Sequence, residues 1–253
     1  MNQAPQVTSR FEPAAADQME KIVSDLGRMY QERNEALQEV ARAHHEALFR
    51  LSVAAEYKDD DTGEHIVRIG FLAEMLALHM GKSKGYALML RRAAPMHDIG
   101  KIGIPDSVLK KPGPFTPDER QTMNRHPAIG ARILGKSRIE LFQLASEIAL
   151  THHERWDGQG YPNQLAGEDI PLSGRIVAVV DFYDALTMNR VYRPAFSHEK
   201  VLEMLLAERG RAFDPAIVDC FMRSNIAMSA VRERVTNQQM TFSDLIQNEP
   251  VNP

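Results

Sequence analysis

No Gly or Pro interrupts the sequence between Met29 and Leu51, and apolar residues around that run recur every three or four positions. Met19, Ile22, Leu26 and Met29 set the spacing. After a slip near Arg33 it resumes at Leu37, Val40, His44, Leu48 and Leu51. Such spacing keeps one edge of an α-helix apolar, whereas a half-buried strand needs strict alternation. The segment reads as one long helix with a narrow seam of the coiled-coil kind. Its own domain or a second copy could cover that seam. The narrowness of the seam, outside the motif-bearing region, favours a homodimer through residues 19–51. Residues 1–17 ahead of it are polar, carry Pro5 and Pro13, and read as a disordered leader.

Most later periodic segments are also helical in length. They are Ile66–Met80, Tyr86–His97, Pro117–Asn124, Ala128–Leu134, Leu141–His152, Ser173–Met188, His198–Arg209 and Pro215–Met228. Ile176–Val180 is strand-like by residue type, but it continues into Ala185 and Leu186 without a breaker, which favours helix. The expected fold class is all-α. Expected boundaries are a leader at 1–17, a helical linker and dimerisation segment at 18–50, a catalytic domain at 51–228, and a helix end with a frayed tail at 229–253. A chain of 253 residues can bury a substantial core.

Composition excludes more than it assigns. Thirty Lys and Arg against 34 Asp and Glu leave a formal net charge of −4, so no strongly basic nucleic-acid coat is expected. The single cysteine, Cys220, can form neither an internal disulfide nor a thiolate metal cluster, which suits a reducing compartment. No apolar run approaches a membrane span, and the N-terminus lacks a secretory pattern. The expected location is the cytoplasm, without membrane insertion.

Five of the nine histidines, His65, His97, His126, His152 and His153, sit beside acidic residues, Gly or Pro. A lone His is most often an ordinary surface or core residue, and the pair His44–His45 falls in the linker helix. Together with carboxylates, however, neutral imidazoles are the ligands of borderline divalent metals. His97 closes an apolar helix through Leu88, Leu90, Ala93 and Ala94, so it should face inward beside Asp98. Unpaired buried charge is costly, and a metal cluster would answer that cost. Lys101 lies four residues on, where an ammonium would suit a phosphate oxygen, although Ile99–Gly100 obscures the turn. Asp181 and Asp184 share a helical face. Arg190 and Arg193 follow, suited equally to a phosphate or to a helix C-terminus. Residues 152–162, HHERWDGQGYP, hold the only Trp and two glycines, as a shaped loop or a structural turn anchored by Trp156.

The runs HDIGKIGIPD (97–106), HHERWDGQGYP (152–162) and DFYDALTMNRVYRP (181–194) resemble the HD-GYP family of cyclic di-GMP phosphodiesterases. DDDTGEH (59–65), His126–Pro127 and FDP (213–215) fall in the family's order, so the resemblance covers about residues 50–225. It implies an HD-domain helical bundle with a C-terminal GYP extension, preceded here by the coiled-coil-like helix. It implies metal ligation by His97, Asp98, His126, His152, His153 and Asp181, with Asp98 bridging and catalytic. His65 matches the additional ligand of three-metal members, and Asp61 stands where those carry a longer Glu. Lys101 matches the catalytic Lys that contacts phosphate. Tyr161, Arg190 and Arg193 match substrate-binding positions, and Asp184 is expected to hydrogen-bond a ligand His.

The implied activity is hydrolysis of cyclic di-GMP to pGpG, and further to GMP, by a hydroxide bridging two or three divalent ions, Fe or Mn above others. Another cyclic dinucleotide such as 3′3′-cGAMP is the alternative substrate, and a non-catalytic sensing or docking module the alternative role. No sensory domain fits in the first 50 residues, so a separate sensor or a diguanylate cyclase is an expected partner.

Overall fold

The computed structural model describes residues 11–59, 63–189 and 194–246. The described residues part into two units between Glu46 and Ala47. The first lies within α1 (Phe11–Lys58), a helix of 48 residues. It starts inside the segment expected to be a leader, because Pro13 falls in the first turn, where a missing amide N–H removes no hydrogen bond. Residues 1–10 lie outside the described residues. Met19, Ile22, Val23, Leu26, Met29, Tyr30, Leu37 and Val40 are 46–62% exposed on this helix.

The second unit is built around α2 (Glu64–His79), in which every residue from His65 to Ala77 is buried. A helix apolar nearly all round must be central, and α3 (Lys84–Ala93), α8 (Leu172–Leu186), α10 (Pro215–Arg223) and α11 (Asn225–Asn237) pack against it. Two charges within that burial are matched. Arg91 of α3 reaches Glu74 at 3.1 Å, and Arg68 reaches Asp184 of α8 at 2.8 Å.

Helix α3 ends at Ala93, short of the expected His97, because Pro95 supplies no amide N–H to continue the helical ladder. Two 3₁₀ turns follow, Ala94–Met96 and Ile99–Gly103, with His97 and Asp98 between them. After α4 (Asp106–Leu109) comes α5 (Pro117–Met123), opened by a reciprocal Thr116–Glu119 cap. Then come α6 (His126–Leu134) and α7 (Glu140–Thr151), packed on each other. A Cβ at Gly100 would collide with the His126 carbonyl and the Gly130 amide, so only glycine lets the second 3₁₀ turn lie against α6. Residues 173–186 are helical in α8, as expected for the strand-like run 176–180.

The chain closes with α9 (His198–Ala207), α10 and α11, then α12 (Phe242–Leu245). The expected helix Pro215–Met228 is broken at Ser224. The boundary at 228 and the frayed tail are corrected as far as Ile246. Met228, Val231, Val235 and Leu245 belong to the main core, the Phe242 ring packs tilted on Phe49 with centroids 4.8 Å apart, and Arg91 donates to the Leu245 carbonyl at 3.0 Å. Apolar positions at 228, 231 and 235 follow the helical period, and that burial outweighs fraying. Among the described residues there is no strand, only an isolated bridge between Arg209 and Phe213, and no helix long and apolar enough to cross a membrane.

Candidate metal centre and cleft

Five short stretches bring the chemistry together. His65 sits in the first turn of α2, His97 and Asp98 between the 3₁₀ turns, His126 at the start of α6, and His152–His153 at the end of α7. Asp181 comes from the middle of α8. They form two groups of potential ligand atoms, each within 4.8 Å: Asp98 with His126, His152 and His153, and His65 with His97 and Asp181.

Hydrogen bonds set the imidazole tautomers. His97 Nδ1 lies 3.0 Å from the Ala94 carbonyl, His126 Nδ1 2.8 Å from that of Met123, and His152 Nδ1 3.0 Å from that of Ala149. A carbonyl only accepts, so each Nδ1 carries the proton and each Nε2 presents a lone pair. Those Nε2 atoms converge on a carboxylate. Asp98 Oδ1 is 3.2 Å from His126 and 3.5 Å from His152, while Oδ2 is 3.4 Å from His97. His65 Nε2 lies 3.3 Å from Asp181 Oδ1, and His97 Nε2 3.8 Å from the same oxygen.

Lone pairs thus face lone pairs across buried gaps. Among the described residues, His97 Nε2, His126 Nε2, His152 Nε2 and Asp98 Oδ1 have no hydrogen-bond partner. Such an arrangement needs cations between the atoms. Protons meet the need only in part. Burial disfavours charge on His65 and His97, yet Asp181 and Asp184 pull the first above the usual imidazole range, and Asp98 pulls the second. Burial, with the neighbouring imidazoles, holds His152 and His153 below it. The donor set, all imidazole and carboxylate with no thiolate, fits divalent metal ions.

Asp184 is fully buried and receives His65 Nδ1 at 2.7 Å, Arg68 Nε at 2.8 Å and Arg232 Nε at 3.2 Å. It orients His65 rather than facing the cleft, the contact expected from its place one turn after Asp181. Asp98 stays ionised: burial would raise its pKa, but Lys101 at 2.8 Å and the imidazoles hold it well below the carboxylate range. Lys101 also reaches Asp59 at 2.5 Å. Burial would depress its ammonium, yet Asp98, Asp59 and Glu56 keep it firmly protonated.

The loop after α7 closes one side. Tyr161 stacks on His153 with ring centroids 4.8 Å apart, and burial raises its phenol far above the usual range, so it remains a donor. Buried Glu154 accepts the amides of Asn163 at 2.7 Å and Leu165 at 3.0 Å, clamping the loop. A Cβ at Gly160 would strike the backbone of Glu154 and Arg155. The shaped-loop reading of 152–162 therefore applies, and Trp156 anchors it from the side, with Arg175 above its ring. Asp61, Arg190 and Arg193 lie outside the described residues. Glu56, Arg68, Glu154 and Arg232 are additions that sequence reasoning missed. Arg68, three residues after His65 on one helix face, had a local signal; Arg232, distant in sequence, had none.

His65, Asp98, Lys101, the two α7 histidines, Tyr161 and Asp181 line one cavity of about 1200 Å³, with Lys111, Phe115, Arg120 and Met123 also on its wall. That exceeds the roughly 300–1,000 Å³ of ordinary small-ligand pockets.

An all-α bundle holding a buried His/carboxylate cluster of this composition defines a metal-dependent HD-type protein. The chain belongs to the HD domain family, which matches residues 17–217, and the 152–162 run marks its HD-GYP branch. Among its relatives, a cyclic di-GMP phosphodiesterase of Vibrio cholerae is 48% identical over 73% of this chain and 40% of that protein. The cyclic di-GMP phosphodiesterase response regulator RpfG of Xanthomonas campestris is 44% identical over 78% and 52%. The 3′3′-cGAMP-specific phosphodiesterase 2 of Vibrio cholerae is 42% identical over 74% and 36%. This chain thus spans about half of those proteins' length or less. A crystal structure of a cyclic GMP-AMP-specific phosphodiesterase of V. cholerae shares the fold, with a TM-score of 0.55 and 19% identity over 80% of this chain and 57% of that one.

Proposed function

We propose that this chain hydrolyses cyclic di-GMP to the linear dinucleotide pGpG. The observation that carries the reading is Asp98, whose two oxygens face different ligand groups, as a carboxylate shared by two ions would. His126, His152 and His153 would complete one site, and His97 and Asp181 the other. Iron or manganese suits these donors. Divalent ions held there would supply Lewis acidity and a water of lowered pKa.

The protein's own groups do the rest. Hydrolysis adds one water across one P–O3′ bond: phosphorus gains an oxygen, and the 3′ oxygen leaves with a proton. Lys101, protonated throughout, would neutralise a non-bridging phosphate oxygen as charge develops there. The Tyr161 phenol would donate to a phosphate or base edge. Imidazole Nε2 lone pairs stay aimed because their Nδ1 protons are tied to backbone carbonyls. Asp61 with His65 would hold a third ion and permit further cleavage to GMP. Arg190 and Arg193 would bind phosphate or guanine.

The names of relatives favour one alternative substrate, 3′3′-cGAMP. We further propose a cytoplasmic homodimer through residues 19–51, receiving its signal from a separate sensor or diguanylate cyclase. The test is turnover of both cyclic dinucleotides by anaerobically purified protein, with metal content read on the same sample and products resolved by chromatography. pGpG from cyclic di-GMP at two ions per chain is the expected result, and GMP at three would extend it. Preference for 3′3′-cGAMP would replace the substrate, and no product from fully metallated protein would leave a sensing or docking role.

A further inference from the structure

The last turn of α1, inside the second unit, ends in an adjacent cation and anion, and both reach the turn that carries Lys101. Lys58 Nζ donates to three backbone carbonyls of that turn and its exit: Ile104 at 2.5 Å, Ile102 at 2.9 Å and Lys101 itself at 3.4 Å. It also lies 3.4 Å from Asp106. The neighbouring Asp59 accepts the Lys101 ammonium, which also pairs with Asp98. Backbone and side chain of Lys101 are thus gripped by consecutive residues of one helix end.

The grip has a physical purpose. The Ile99–Gly103 turn is 3₁₀, and at its ends the Lys101 amide bonds the Asp98 carbonyl and the Ile104 amide that of Lys101. The Lys101 and Ile102 carbonyls of the turn and the Ile104 carbonyl just beyond it all accept the one Lys58 ammonium. Without it, the partly exposed turn could re-form with its carbonyls in water and carry Lys101 away from Asp98.

We infer that Lys58 and Asp59 are positioning residues for Lys101, so that the end of α1 sets where the phosphate-neutralising ammonium stands. This rests on the reading above that Lys101 contacts substrate phosphate. It also makes α1 the element whose displacement would be felt first at the reacting centre.

The experiment uses the full chain with its metals. Lys58→Met should lower kcat/KM by on the order of tenfold to a hundredfold, as misplacement of a reacting group by an ångström does, with metal content unchanged. Lys58→Arg, which keeps the donors, should restore most of it, and Asp59→Asn should show a smaller loss. In a Lys101→Ala background, Lys58→Met should cost nothing further, because both changes remove one function. Full activity of Lys58→Met, or an undiminished loss in the Lys101→Ala background, would overturn the inference. Hydrogen exchange at the Lys101 and Ile104 amides is read in parallel. It should quicken in Lys58→Met and not in Lys58→Arg, and unchanged exchange would also overturn the inference. If the wild-type chain turns over neither dinucleotide, the functional reading fails, and the exchange result alone decides whether α1 holds the turn.

Discussion

Helix α1 up to Glu46 and helix α2 both repeat apolar residues at helical spacing, yet they end in opposite surroundings. On α1 the apolar residues from Met19 to Val40 are exposed in the single chain. On α2 thirteen successive residues are buried, charged ones included. Periodicity states which residues can share a face, but what covers that face depends on other elements. For α2 the cover comes from α3, α8, α10 and α11, and its buried charges are matched one by one. For α1 a second copy would supply it.

The difference also separates kinds of burial. Arg68 and Glu74 are stabilised by fixed partners within the chain, whereas Asp98 and the three Nε2 atoms around it converge on a space that wants a cation. The largest effect should therefore come from Asp98. Asp98→Ala removes the one carboxylate among the described residues that faces both ligand groups, and should abolish hydrolysis and metal retention together while the helical circular dichroism persists. An active, metal-loaded variant would break the assignment.

The cover proposed for α1 is tested next. Light scattering should give a dimer for the full chain and a monomer after removal of residues 1–45. An unchanged mass would mean that the seam is not the dimer contact.

Paired substitutions then sharpen the comparison directly. Leu72→Ala, in the middle of α2, should cost about 2–5 kcal/mol in urea unfolding, through lost transfer energy and the cavity left behind. Leu26→Ala, on the proposed dimer seam, should weaken dimerisation, while in dilute monomeric protein it should leave that transition within about 0.5 kcal/mol, since there its side chain is exposed. Equal costs in the monomeric protein would show that Leu26 is covered within its own chain.

The smallest effect concerns Cys220 on α10. Burial raises its thiol pKa, so near the unfolded value of about 8.5 the folded chain holds the proton that the unfolded chain has begun to lose. Stability should therefore decline slightly as pH rises through that region. Alkylation by iodoacetamide there should be slow in the native protein and fast in urea. Equal rates would show that α10 opens readily.

Much of the site was legible because its ligands sit at the ends of periodic segments, next to Gly, Pro or a second His. The turn at 97–103 was less legible, since a helix through His97 and the Pro95 break compete locally, and only packing against α6 decides between them. The C-terminal boundary was missed for a related reason: 229–246 is too polar to declare itself, yet Leu245 and Phe242 find partners on α3 and α1.

By itself the sequence determined the helical class, the long first helix, and the residue types able to bind metal and phosphate, because spacing and chemistry are local properties. Only the tertiary structure decided that Asp98 faces two ligand groups at once, that Asp184 and Arg232 stand behind His65, and that the end of α1 grips the Lys101 turn. Those contacts join residues as many as 119 positions apart, and no local propensity specifies which distant side chain closes a buried gap. Burial does, by making each unmatched charge or lone pair cost more than the chain's marginal stability allows.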